Sequence, residues 1–190
     1  MPGDNPQEAV TAFLQPLKAA LGVLDGRGVI AVPRQGLWVK YRAYSWVLNA
    51  GQGMKLGGIG TLHASMKFQV IETDPATNDF GKPLRVTTLA YNYKLEPPGG
   101  SDLWRMHWHP DGRSEVREPH LHTPPDLDVH RPCDRMTFET AIRWCIEDGA
   151  PLTCAAQEAE DQLLVAETPH KLHRTWSSPL DRPELRRPQA

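Results

Sequence analysis

The clearest alternation of apolar and polar positions runs through residues 104–108, where Trp104, Met106 and Trp108 are interleaved with Arg105 and His107. Successive side chains of a strand point to opposite faces. The segment therefore predicts one apolar face against a core and one basic, titratable face turned away from it. His109-Pro110-Asp111-Gly112 follows and predicts a turn: proline presets φ at the second position, Asp suits the third, and glycine accepts a left-handed conformation. The expectation is a β-hairpin over 103–117 that sets His107 opposite Glu115, Arg105 opposite Arg117 and Met106 over Val116. Pro119 should end regular pairing, since it cannot donate to a ladder, and Pro119-His120-Leu121-His122 repeats the His-x-His spacing.

The same period of two recurs at Leu89, Tyr91, Tyr93 and Leu95, and in part over 66–72. Residues 29–33 and 37–48, with Trp38, Tyr41, Tyr44, Trp46 and Val47, are rich in aromatic and β-branched types and read as further strands. Helical spacing appears at Val10, Phe13, Leu14, Leu17, Leu21 and Leu24, behind an Asn5 cap and a first-turn Pro6. The predicted helix closes at Asp25-Gly26 and is kinked or split at Pro16. Thr137 caps a second helix, Phe138 to Glu147, with Phe138, Ala141, Ile142 and Cys145 inward, and a third runs from about Thr153 to Glu167. Three segments read as connections: Gly51 to Gly60, which lacks any phosphate-binding glycine spacing, the polar stretch 74–83, and the Pro-rich stretch 123–135 that holds His130.

Sequential strands with short connections favour antiparallel pairing, because parallel pairing needs crossover helices. The predicted fold class is α+β: an antiparallel sheet of about five strands with an N-terminal helix and one or two C-terminal helices. Residues 1–168 form one domain in this reading, and 169–190 a Pro/Arg-rich tail. That tail carries Lys171, Arg174, Arg182, Arg186 and Arg187 against Asp181 and Glu184, buries little, and is expected to be disordered or ordered by a partner.

Composition narrows the function. The chain has 190 residues, 39% hydrophobic and 23% charged, which is enough to bury a core. A formal charge of −2 argues against a generally basic nucleic-acid binder, although a local basic patch would not show in the total. No apolar run approaches the ~18 residues that a membrane span needs, and the polar N-terminus does not resemble a signal peptide, so the expected location is cytoplasmic, with no membrane partner. Cys133, Cys145 and Cys154, odd in number and without CxxC spacing, read as reduced thiols.

The candidate chemistry lies on the basic face of the hairpin. Cleaving RNA without a metal needs a base for the 2′-hydroxyl, an acid for the leaving oxygen and a cation for the phosphorane; imidazole and guanidinium supply these. In that reading His107 and His120 exchange protons, Glu115 orients them, Arg105 holds phosphate, and His109, His122, Arg113 and Arg117 bind substrate. The alternative is a zinc site from His107, His109, His120 and His122, opposed by the charges of Arg105 and Arg117. A third reading is a non-enzymatic partner-binding protein using the tail, and a solvated salt-bridged sheet face is the plainest of all. Trp104, Met106, Trp108 and Cys145 read as core, and His63, His170 and His173 carry no assigned role.

Tyr91-x-Tyr93, the Arg105-x-His107-Trp108-His109 strand, the Pro110-Asp111-Gly112 turn, Pro119-His120-x-His122 and a closing helix together resemble the TumE-like toxins of bacterial toxin–antitoxin pairs, over roughly residues 86–148. The resemblance implies a compact α+β protein that acts on RNA as a metal-independent ribonuclease without a cofactor, or an inactive relative, with an antitoxin as partner.

Overall fold

The computed structural model describes residues 2–33, 36–111 and 116–172. A short strand, β1 (Pro2–Gly3), leads into helix α1 (Pro6–Leu21). The Asn5 side chain accepts from the Glu8 amide, and Pro6 occupies the first turn, where no N–H is needed. The helix passes through Pro16 without the predicted break. Phe13, Leu14, Leu17 and Ala20, buried on both sides of the proline, hold it together through packing that outweighs one missing backbone bond. It ends at Leu21, a turn earlier than expected; Val23 and Leu24 stay buried, but Leu24 bridges Leu152 instead of extending the helix.

The remaining strands are β2 (Ile30–Ala31), β3 (Ala43–Leu48), β4 (Met54–Leu56), β5 (Gly60–Glu72), β6 (Leu84–Glu96), β7 (Trp104–Trp108), β8 (His120–Thr123) and β9 (Asp126–Pro132). They form one sheet in the order β2-β3-β5-β6-β7-β8-β9, with β1 beside β6 and β4 beside β5, every pair antiparallel. Among the described residues the sheet has nine strands rather than about five. Strands as short as β1, β2 and β4 leave no periodicity to read, and β9 was hidden by its flanking prolines. The strand predicted from residue 37 starts only at Ala43, because Tyr41 has φ of 61° and breaks an extended run.

Strands β5 and β6 carry the core of the sheet. Leu62, Ala64, Met66, Phe68 and Val70 all face inward from β5. On β6, Tyr91, Tyr93 and Leu95 do the same, but the register then slips: Lys67 pairs with Ala90 and Phe68 with Thr88, so Leu89 is skipped. This bulge turns Leu89 away from the buried row it was predicted to join and puts Thr88 and Val86 inside.

The predicted hairpin partner is corrected. β7 lies between β6 and β8: on the β8 side His107 lies opposite His120, Met106 opposite Leu121, and Arg105 opposite His122. Val116 and Arg117 are outside any strand, and Arg113 and Glu115 lie outside the described residues. The turn sequence satisfied local chemistry, but the histidine-bearing segment beyond Pro119 offered the better ladder.

Helices α2 (Phe138–Glu147) and α3 (Ala156–Leu172) join α1 over one face of the sheet. Thr137 caps α2 by accepting from the Thr140 amide. Phe138 packs against Trp46 and Tyr93 at 5.2 and 5.6 Å between ring centres, and Phe13 against Phe68 at 5.1 Å. α3 continues through Pro169 to Leu172, so residues 169–172 are helical rather than part of a tail; the rest of the predicted tail, 173–190, lies outside the described residues. Among the described residues no helix is long and apolar enough to cross a membrane. The opposite face of the sheet, with Ser45, Lys67 and Asn92 exposed, is left open by the helices.

One turn is constrained enough to test. Gly60 has φ of +137°, and a Cβ there would lie 2.1 Å from the Glu96 carbonyl oxygen, whereas a Cβ at Gly58, φ +86°, meets nothing within 4 Å. Gly58→Ala should cost about 1 to 2 kcal/mol for its backbone conformation alone. Gly60→Ala adds a backbone clash at the start of β5 and should lower the urea midpoint far more. Equal losses for the two variants would contradict this reading of the β4–β5 turn.

Candidate metal centre

The open face of β7, β8 and β9 carries five histidines. Because alternate strand residues share a face, His107 points away from Trp104, Met106 and Trp108; its cross-strand partner His120, and His122 two residues on, lie on that same side. His109 follows the end of β7 and His130 comes from β9. His107 lies 5.5 Å from His120 and 5.1 Å from His122 between ring centres, His109 lies 5.3 Å from His120, and His130 lies 4.7 and 4.6 Å from His120 and His122. The four histidines predicted to form one site are thus together. Two trios have ligand atoms all within 4.8 Å of one another: His107, His109 and His120, and His120, His122 and His130.

His130 is the member that sequence reasoning missed. Leu127, Val129 and Arg131 alternate with Asp126, Asp128 and His130, a strand signal, but the prolines at 124, 125 and 132 favoured a loop. Of the unassigned histidines, His63 lies 3.5 Å from Glu96, His170 is buried among the helices, and His173 is outside the described residues.

Two rings are fixed from behind. His120 Nδ1 is 2.8 Å from the Glu118 carbonyl oxygen, and His122 Nδ1 is 2.6 Å from that of Leu127. A carbonyl can only accept, so each Nδ1 carries the proton, and in the neutral ring Nε2 keeps its lone pair. His120 and His122 are buried, and among the described residues His120 Nε2 has no hydrogen-bond partner. The rings are also held neutral. Burial, then the charges of His122, His120, His109 and Arg105, push His107 down from 6.5 to about 3. Burial also holds His120 and His122 below the usual imidazole value, against the opposing pull of their carbonyl partners and with help from His130.

The charged groups predicted to serve this site are arranged differently. Arg105 Nε is 2.5 Å from Asp102, which also takes Lys94 at 3.1 Å, so the Arg105 charge is shared with a carboxylate. Arg117 is exposed. Beside His107 and His109, a trough of about 330 Å³ crosses the open face, lined also by Ser45, Ser65, Lys67 and Asn92.

The helical layer holds a titratable group of the opposite kind. Glu139 on α2 is fully buried, with His170 Nε2 3.9 Å from Oε1. Burial, then the Glu167 carboxylate, raises it to about 7 against the lowering effect of Arg143 and Lys171.

The two groups predict opposite pH effects. Glu139 has a folded pKa above its ordinary 4.5, so its contribution is fully present below 4.5 and is lost as pH rises through about 7. Glu139→Gln should therefore be the more stable protein at pH 8, by as much as roughly 3 kcal/mol, and lose that advantage near pH 4. His107 has a folded pKa below 6.5, so its contribution is present above 6.5 and lost as pH falls toward about 3. The metal-free protein should lose stability on that acid limb, and His107→Asn should flatten it. Urea unfolding of the three proteins across this range measures both effects.

No protein-family profile, curated protein or solved structure matches the chain, so the reading of this centre rests on its own geometry.

Proposed function

We propose that the protein binds a divalent transition metal of the zinc class at this cluster, through His120 and either His107 with His109 or His122 with His130. The observation that carries the reading is His120 Nε2: a buried nitrogen without a hydrogen-bond partner among the described residues, on a ring whose Nδ1 faces a carbonyl, with two imidazoles on either side. Buried polar atoms normally find partners. A lone pair surrounded by other imidazoles is satisfied by a cation, and a backbone carbonyl behind the ligating ring is the usual way of fixing a metal-binding histidine. The depressed pKa values act in the same direction, since a metal competes with protons for these nitrogens. The sequence-level objection, a guanidinium beside the site, is weakened by the Arg105–Asp102 pair. His120 offers one lone pair and so serves one ion at a time.

A metal-independent ribonuclease, as the TumE-like resemblance implies, would draw on the same histidines. It needs an imidazole that titrates near neutrality and a cation for the phosphate, and the His107 value of about 3 and the pairing of Arg105 favour the metal reading over it. An RNA target and an antitoxin partner belong to that competing reading.

The test is titration of metal-free protein with zinc, followed by calorimetry and elemental analysis. One ion per chain is expected, and at 100 times Kd the ion should raise the unfolding free energy by about 2.7 kcal/mol. His120→Ala, which removes the ligand shared by both trios, should weaken binding more than His130→Ala. A folded protein that takes up no zinc, or RNA cleavage that persists in EDTA and disappears in His120→Ala, would overturn the proposal.

A further inference from the structure

We infer that the metal-loaded centre takes a small phosphate-bearing ligand in the trough beside His107 and His109; the inference rests on the metal reading above. Three imidazoles leave a zinc-class ion with an open coordination position. Of the two trios, the one formed by His107, His109 and His120 has two of its members in the trough wall. The trough volume, about 330 Å³, is at the small end of the range of ligand pockets and suits a compact molecule.

The wall selects for anions. Lys67 contributes an ammonium, Asn92 an amide, and Ser45 and Ser65 hydroxyls, while among the described residues no carboxylate lines the trough. Among the described residues none of these four side chains is engaged in an ion pair or side-chain hydrogen bond. Lys94, further along the same face, differs in being held by Glu96 and Asp102. The register brings the free donors together: Ser45 pairs with Lys67, Ser65 with Asn92, and Asn92 with His107. Several separate donors beside an open metal position match a ligand with three or four oxygens better than a two-oxygen carboxylate. The sheet face that the helices leave uncovered is then a recognition surface.

Cobalt in place of zinc gives the centre a visible spectrum that reports on its coordination, and inorganic phosphate is the probe. Adding phosphate to the cobalt-loaded protein should change the spectrum saturably. Lys67→Gln should weaken that response about tenfold or more, the value of one hydrogen bond to a charged group, and Lys67→Arg should restore most of it. Asn92→Ala, scored against its own phosphate-free spectrum, should weaken it less. A cobalt spectrum that phosphate leaves unchanged, or a response identical in the parent and Lys67→Gln, overturns the phosphate inference and leaves the metal reading standing. Absence of any cobalt spectrum in folded protein overturns both.

Discussion

The register of β8 against β7 is the constraint on which the histidine cluster depends. Since strand side chains alternate with period two, placing His120 opposite His107 also puts His122 on the open face and Leu121 over Met106, against the core. A slip of one residue would send both histidines inward and expose the leucine. The register is held because both faces have a stake in it: tryptophans and Met106 on one side, close-set imidazoles on the other. β9 then follows β8, and Arg131 donates to the Thr123 carbonyl and hydroxyl at 2.7 and 2.9 Å, tying together the turn that brings Leu127 behind His122.

What was legible in the sequence was whatever one side-chain period could carry alone. β7, α2 and the start of α1 were read from alternation, helical spacing and caps, and their inward faces are the ones expected. What was illegible depended on competition between segments. The 109–112 turn is sound local chemistry, yet β7 found its partner beyond Pro119, and no local pattern says which of two candidate strands wins. Leu89 was misplaced for a related reason: a bulge resets the alternation within a strand, and the signal on either side looks continuous. At the site, four histidines were visible through their repeated spacing, while His130 was obscured by prolines. The roles given to Arg105 and Arg117 assumed a strand pairing that the fold does not make.

The two layers place their titratable groups under opposite demands. Among the helices, Glu139 is easiest to bury as a neutral acid; on the open face, His107, His120 and His122 are easiest to hold as neutral bases. In both cases the fold suppresses charge, but the second case also gathers several imidazole rings side by side. Carbonyl groups at Glu118 and Leu127 orient two of the rings in advance, so little ordering remains to be done when a ligand arrives.

The shared position of His120 gives the centre a pivot. In the proposed reading, an ion seated with His107 and His109 and one seated with His122 and His130 would both need His120, whose Nδ1 already faces the Glu118 carbonyl, so the two placements would exclude each other. They are nevertheless adjacent. An ion passing from one to the other would exchange two ligands and keep His120. Because His130 is exposed on β9 while the other trio borders the trough, that exchange would have a direction in space: from the outer strand of the sheet towards its middle.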